Sequence, residues 1–191
     1  MPEAAAPEAG ENRDGIAVAE RLTRSLEAAF RKIEQERMRD IPILNKALSA
    51  ACIGMRPSAN GWLCVLVTPW FINLLLLPPS EAHAEAWSEI PPGTKLMHQF
   101  PAGAFEFICA TDNDIGAYRM CSLFSPVLEF ENQETAVATA EASLSALFDA
   151  NLNPTNEGAG KQVPAGEKPQ AQKLSRRDLM LGLSKSGDAR T

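Results

Sequence analysis

The sequence WLCVLVTPWFINLLLLP, residues 62–78, decides the fold, because it holds two apolar segments separated by a proline. Pro69 cannot donate a ladder hydrogen bond, so we expect one strand to end before it and another to begin after it. The preceding segment, Trp62–Thr68, has the length of a strand. The following segment, Ile72–Leu77, is continuously apolar, which is typical of a strand buried on both faces. Even together, the 16 residues from 62 to 77 are too few to span a membrane.

Further strands are predicted on either side of this stretch. A turn-forming cluster, PSANG at residues 57–61, joins the first of them to the stretch as a hairpin. A second hairpin is predicted around the sequence DNDI at residues 112–115. The additional strands are Ala50–Met55, Lys95–Phe100, Phe105–Thr111 and Gly116–Phe124.

Helical periodicity is found at both ends of the strand region. Asp14 is the expected N-cap of a first helix, which should end before Pro42. Asn132 is the expected N-cap of a last helix, and Glu81–Trp87 is predicted to be a loop or a short helix. The pattern predicts an α+β fold, with a mainly antiparallel sheet of five or six strands and an N-terminal and a C-terminal amphipathic helix. The apolar stripes are Ile16, Ala19, Leu22, Leu26, Phe30 and Ile33 in the first helix, and Val137, Ala140, Leu144, Leu147 and Phe148 in the last.

Composition divides the chain of 191 residues into three parts. Residues 1–13, rich in Ala, Glu and Pro, are predicted to be a disordered acidic N-terminus, and 14–150 the folded domain. Residues 151–191 have the Gly, Pro and Lys content of a flexible basic tail. The first 150 residues carry 11 basic and 20 acidic side chains, which favours cationic partners. The formal net charge of -6 makes nucleic acid a poor partner.

Several functional motifs are missing from the sequence. The N-terminus lacks the basic and apolar regions of a secretory signal, so we expect a cytoplasmic protein without membrane insertion. His83 and His98 do not stand in a metal-ligand spacing, and there is no nucleophile elbow, P-loop or dinucleotide fingerprint. We therefore expect neither enzymatic activity nor a bound cofactor or metal.

The cysteines form two pairs of equal separation, Cys52/Cys64 and Cys109/Cys121, each across a predicted hairpin. Convergence of the two pairs would create a four-thiolate metal site. However, the sequence contains no C-x-x-C motif, and buried cysteine commonly behaves as a small apolar residue. Reduced cysteines packed in the core are therefore the favoured interpretation, and a thiolate metal or redox carrier is the alternative.

Two backbone breaks are predicted to place aromatic side chains at an end of the sheet. Pro69 leaves Trp70 and Phe71 at such an end. The sequence FPAGAF, residues 100–105, makes a similar break between two phenylalanines. These aromatic side chains either plug the core or line one common apolar groove for an incoming peptide.

Glu106 is the candidate polar residue beside these aromatics. If Thr111 pairs with Gly116 in the second hairpin, Glu106 lies diagonal to Arg119 on the neighbouring strand. A cross-strand ion pair is then the simpler interpretation. The functional alternative is that Glu106 contacts a cationic partner.

Four blocks of sequence carry a resemblance to a known family. The blocks are RDIPILN at 39–45, the stretch 62–78, FPAGAFEF at 100–107, and CSLFSP at 121–126 followed by Glu129 and Phe130. In this order they resemble the HybE/HupJ/HoxT family of [NiFe] hydrogenase assembly chaperones, over residues 14–150.

The resemblance implies a cytoplasmic chaperone, not an enzyme, that holds a hydrogenase subunit precursor until its cofactors are assembled. The small-subunit precursor with its twin-arginine signal peptide is the main implied partner, and the large subunit or other maturation proteins are alternatives. Some relatives carry a fused rubredoxin, whose C-x-x-C knuckles this chain lacks.

The tail contains the sequence SRRDLML at residues 175–181, which is similar to the twin-arginine consensus itself. One hypothesis is that Arg176, Arg177 and Leu179 mimic the client signal within the chaperone's own groove. The alternative is a solvated basic tail or a short partner helix. The predicted partner-binding residues of the domain are Trp70, Phe71, Asn73, Phe100, Pro101, Phe105, Glu106 and Glu129.

Overall fold

The computed structural model describes residues 9–39 and 41–153. Within them, the strands form one antiparallel sheet in the order β1-β2-β3-β6-β5-β4. This architecture confirms the predicted α+β fold. The helices are α1 (Ala9–Ile33), α2 (Glu81–Ser88) and α3 (Gln133–Leu147), with a π-helical turn at Glu34–Met38 and a 3-10 turn at Ala150–Leu152. The strands are β1 (Ala51–Ser58), β2 (Gly61–Val67), β3 (Ile72–Leu77), β4 (Lys95–Phe100), β5 (Gly103–Asp112) and β6 (Gly116–Phe124).

The β2–β3 hairpin forms the centre of the fold, as the opening sequence stretch predicts. All residues of β3 are buried, because helices or loops cover both faces of this strand. Thr68 closes the turn around Pro69, since its hydroxyl donates to the carbonyl of Phe71 at 2.9 Å and accepts from the Phe71 amide at 3.0 Å. The Thr68 side chain thus supplies the hydrogen bonds that the proline cannot make.

The sheet is strongly curved, as shown by contacts between the β1–β2 turn and the opposite edge strand, β4. Asn60 Nδ2 donates to the Gln99 carbonyl at 3.2 Å, and Asn60 Oδ1 lies 3.1 Å from His98 Nδ1. The His98 ring packs edge-on against Phe107, with centroids 5.2 Å apart, in the larger apolar core. The concave face therefore encloses the larger core together with Trp87 of α2 and the buried side of α3. α1 packs on the convex face over a smaller core.

α1 is longer than expected. It begins at Ala9, so the predicted N-cap Asp14 and residues 9–13 lie within the helix. Leu26 and Phe30 of the predicted stripe are buried, whereas Ile16 is 53% exposed. Ala19, Leu22 and Ile33 are half-buried, so the stripe is least covered at its N-terminal end. No helix of the described ranges is both long and apolar enough to cross a bilayer.

α3 begins where the sequence predicts, with the Asn132 side chain accepting a hydrogen bond from the Thr135 amide at 2.9 Å. Its buried face includes the predicted Ala140, Leu144 and Leu147. Two predicted members of that face, Val137 and Phe148, are less buried. Val137 is only half-buried, and Phe148 is exposed because it lies after the last turn of the helix.

The predicted register of the β5–β6 hairpin is wrong by one residue. Gly116 pairs with Asp112 rather than with Thr111, so the loop has one residue fewer. Asp112 therefore belongs to the strand, and its side chain stabilises the shorter loop by accepting a hydrogen bond from the Asp114 amide at 3.0 Å. Because side chains alternate between the faces, this shift moves Arg119 to the concave face, away from Glu106.

Candidate docking surface

The predicted aromatic groove does not exist as one surface. Trp70 is buried on the convex side, with its ring centroid 6.4 Å from that of Phe30 in α1. Phe100 and Phe105 are buried on the concave side, 5.9 Å apart, where Phe100 also contacts Phe148. Of the two interpretations, burial in the core therefore applies to Trp70, Phe100 and Phe105, and one shared groove does not, since the sheet separates Trp70 from the other two.

The other predicted partner-binding residues of the domain differ in their accessibility. Phe71 is half-buried beside Phe30, whereas Pro101 and Glu129 are exposed in loops. Glu106 is half-buried and pairs with Lys95 of β4 at 3.0 Å, which replaces the ion pair predicted with Arg119. The predicted tail residues Arg176, Arg177 and Leu179 lie outside the described residues.

Asn73 is a buried polar residue on the convex side of β3. Its Nδ2 lies 3.8 Å from the Met120 sulfur, and its Oδ1 has no hydrogen-bond partner among the described residues. The hydroxyl of Ser122, the residue opposite Asn73 on β6, is likewise buried without a described partner. Unsatisfied buried polar groups usually reduce the stability of a fold.

The two cysteine pairs lie on opposite faces of the sheet. Cys52 and Cys64 belong to the smaller, convex core, whereas Cys121 packs against the larger, concave core. A four-thiolate site would need all these sulfurs on one side, and the described residues contain no group suited to hold a metal. A hydrogen bond that the Cys64 thiol donates to Cys52, together with complete burial, raises the pKa of the Cys64 thiol well above its usual range. The same hydrogen bond lowers the pKa of the Cys52 thiol.

A polar cluster on the concave face was not predicted from the sequence. The Arg119 guanidinium lies 3.6 Å from the centroid of the Trp87 ring, and its Nη1 donates to His98 Nε2 at 3.1 Å. His98 Nε2 must therefore accept, so the ring is neutral with its proton on Nδ1, which donates to Asn60. Burial, with the nearby Arg119 charge, lowers the pKa of His98. This cluster joins β4, β6, α2 and the β1–β2 turn, which is a structural role.

An open apolar groove lies between α1 and β1, and we call it the α1–β1 groove. It has a volume of about 430 Å³. It exists because the less covered N-terminal half of α1 extends beside β1, an edge strand of the sheet. A bulge in β1 between Ile53 and Arg56, with Gly54 at φ 65°, forms part of its wall. The lining residues are Ile16, Ala19, Glu20, Thr23 and Arg24 of α1, with Cys52, Gly54 and Met55 of β1.

The α1–β1 groove has the features of a peptide-binding surface. Apolar side chains of Ile16, Ala19 and Met55 line it and can contact an apolar segment. The edge of β1 is already occupied there, since the Cys52 amide donates to Glu27 Oε1 at 3.1 Å and the Gly54 carbonyl accepts from Arg56 Nε at 3.3 Å. Glu20 lies on its rim, 3.8 Å from Arg24. Because both side chains of this ion pair are largely exposed, the pair is weak, and an incoming guanidinium can replace Arg24.

Comparison with protein families and curated proteins yields a consistent group of matches. A family model described as "[NiFe]-hydrogenase assembly, chaperone, HybE" matches residues 21–182. "Probable rubredoxin HupJ" from Rhodobacter capsulatus is 43% identical over 126 residues, which cover 66% of this chain and 44% of that protein. "Protein HoxT" from Cupriavidus necator is 42% identical over 146 residues, covering 69% and 80%. "Hydrogenase expression/formation protein HupJ" from Bradyrhizobium diazoefficiens is 36% identical over 157 residues, covering 82% and 85%.

A solved structure shares the fold. The solution structure of HybE from Escherichia coli superposes with a TM-score of 0.53 at 20% sequence identity. The match covers 78% of this chain and 91% of that one. By contrast, the chain spans less than half of the Rhodobacter capsulatus protein, 44% of its length.

Proposed function

Because the chain belongs to the HybE family of [NiFe]-hydrogenase assembly chaperones, we propose that it binds the precursor of a hydrogenase small subunit. The bound segment is the twin-arginine signal peptide, and binding lasts until the cofactors of the subunit are in place. The contact is made in the cytoplasm, at the α1–β1 groove, and no chemical step is catalysed. The large subunit and other maturation proteins are the alternative clients.

The chemistry of the groove supports this proposal. A twin-arginine signal presents two guanidinium groups followed by an apolar segment. The apolar segment fits against Ile16 and Met55, which line the groove. Glu20 on the rim can accept charge-assisted hydrogen bonds from one guanidinium.

The exposure of Ile16 is the observation that carries the proposal. This large apolar side chain is 53% exposed, whereas Leu26 and Phe30 of the same stripe are buried. Burying an isoleucine completely contributes roughly 1.5–3 kcal/mol. Covering the exposed half of Ile16 is therefore worth about 1 kcal/mol, which is about a fivefold change in affinity.

Of the residues predicted from the sequence, Pro101, Glu129, Phe71 and Glu106 remain proposed secondary contacts. The first two are exposed and the other two are half-buried. The residues Trp70, Asn73, Phe100 and Phe105 are buried, so we do not propose them as direct contacts.

The proposal is tested with a fluorescently labelled signal peptide of the cognate small subunit, titrated with the full chain. We expect Ile16→Asp to weaken binding at least about tenfold, because it loses the apolar contact and adds a desolvated carboxylate. Ile43→Asp is the matched control, since Ile43 is the same residue type, is 43% exposed and lies outside the groove.

Equal affinity for the two variants would show that the client does not use this groove. Failure of the wild-type chain to bind the peptide, combined with binding of the small subunit without its signal, would exclude the signal peptide as the bound segment. Circular dichroism spectra of both variants would show that each remains folded.

A further inference from the structure

The chain itself contains a segment with the chemistry that the α1–β1 groove accepts. We propose that residues 175–182 of this chain occupy the groove when no client is bound, and compete there with the client's signal peptide. The competition rests on the function proposed above, whereas occupancy by the chain's own segment does not depend on it.

The match between segment and groove is chemical. Arg176 and Arg177 are followed by the apolar run Leu179–Leu181, which is the order of charges and apolar groups proposed for the client. The apolar run can cover the exposed half of Ile16 and the Met55 side of the groove. One of the two guanidiniums can then pair with Glu20, whose present partner Arg24 is 3.8 Å away.

The segment can reach the groove from where the described chain ends. Phe148 stacks against Arg56 of β1, with the guanidinium carbon 5.4 Å from the ring centroid. Arg56 directly follows the groove residue Met55, and Asn153 lies five positions after Phe148 in the chain. At up to about 3.5 Å per residue, Asn153 therefore lies within roughly 30 Å of the groove.

The intervening residues 154–174 are sufficient for this distance. Their composition is that of a flexible linker, for which the root-mean-square span of such a length is about 25 Å and the maximum about 70 Å. Because β1 is an edge strand, a chain can pass from the α3 side to the α1 side around β1 without crossing the sheet. The tether thus places the segment near the groove at an effective concentration on the order of millimolar.

The family match supports a role for this segment within the family. It extends to residue 182, well beyond the last described element at Leu152, and therefore includes residues 175–182. A segment that served only as a solvated end would have no reason to share the chemistry of the client.

The expected strength of competition follows from the tether. An isolated segment that binds the groove with a dissociation constant of about 0.1 mM would be about 90% docked at an effective concentration of about 1 mM. A client would then bind about tenfold more weakly than to an open groove. Docking of the tail would therefore exclude apolar peptides that bind the groove more weakly than the client does.

The test compares the full chain with a variant whose segment is inverted in charge and polarity, R176E/R177E/L179D. Amide chemical shifts of Ala19, Thr23 and Gly54 are measured without any peptide, and signal-peptide affinity is measured separately. The control is K185E/R190E, which reverses two charges of the same tail outside the segment.

We expect the segment variant, and not the control, to shift these groove amides and to strengthen signal-peptide binding about tenfold. Unchanged groove amides would overturn the occupancy. Shifted amides with unchanged peptide affinity would preserve occupancy but overturn the competition, and would contradict the proposed function at this groove. Amide shifts that vanish on dilution of the protein would assign the occupant to a second copy of the chain and overturn the intramolecular proposal.

Discussion

Replacing Gly54 by alanine should destabilise the fold far more than replacing Gly116. Both glycines have positive φ angles, 65° and 79°, where an L-residue costs about 1 kcal/mol or more. A Cβ at Gly116 would meet nothing within 4 Å, whereas a Cβ at Gly54 would overlap the Cδ2 atom of Leu144 in α3. The pair therefore separates the cost of backbone conformation from the cost of a clash.

The clash sets the magnitude of the difference. Overpacking a well-packed core typically costs 1–3 kcal/mol, roughly, in addition to the backbone term. We therefore expect a loss of about 1 kcal/mol in the free energy of unfolding for Gly116→Ala and about 2–4 kcal/mol for Gly54→Ala. In a domain of this size the difference corresponds to roughly 5 °C in Tm.

Urea unfolding followed by tryptophan fluorescence measures both losses, because the chain has 3 tryptophans in or beside the sheet. The double variant Gly54→Ala/Leu144→Ala should lose less stability than the sum of its single variants, since the smaller side chain removes the overlap. Equal losses for Gly54→Ala and Gly116→Ala, or strict additivity in the double variant, would refute the contact between α3 and the β1 bulge. The proposed path of the tail, which starts from that contact region, would then lose its support.

Two further predictions concern buried polar side chains. Because the pKa of His98 is lowered in the folded state, the unfolded chain takes up a proton first as the pH falls below about 6.5, so stability decreases there by at most about 1.4 kcal/mol per pH unit. Thermal unfolding between neutral and mildly acidic pH should show a smaller decrease for His98→Gln, and parallel pH profiles would contradict the assigned neutral ring. Asn73→Leu should raise the free energy of unfolding by about 1 kcal/mol, because it removes a buried carbonyl without a described partner. Ser122→Ala, which removes the adjacent buried hydroxyl that has no described partner, is the control. A lower free energy of unfolding for Asn73→Leu would show that the Asn73 amide is hydrogen-bonded in solution.

Local signals in the sequence were sufficient to predict the strands and helices. The proline between two apolar segments correctly predicted the β2–β3 hairpin, and the continuous apolar run predicted a strand buried on both faces. Asn132 correctly marked the start of α3, since an N-cap is a contact between residues three positions apart. The start of α1 was predicted less well, because Asp14 can occupy a helical turn as well as a cap.

The predicted docking residues show the limits of the same reasoning. Aromatic residues beside proline breaks were expected either to plug the core or to line one groove, and alternation along a strand does not reveal which face a neighbouring strand shares. Trp70 and Phe100 are consequently buried in different cores. The predicted partner of Glu106 depended on the register of the β5–β6 hairpin. The hairpin loop has one residue fewer than predicted, so Glu106 pairs with Lys95 and not with Arg119.

The sequence by itself determined the α+β class, the strand and helix segments and the membership of a recognisable family, because these depend on periodicity, capping and short motifs. Only the tertiary structure decided the strand order, the curvature that brings Asn60 to His98, and the groove beside Ile16. In the sequence, Ile16 belongs to the same stripe as Leu26 and Phe30, and nothing local distinguishes it from them. Whether a residue of such a stripe is covered depends on how far the sheet beneath it extends, which is set by contacts between segments distant along the chain.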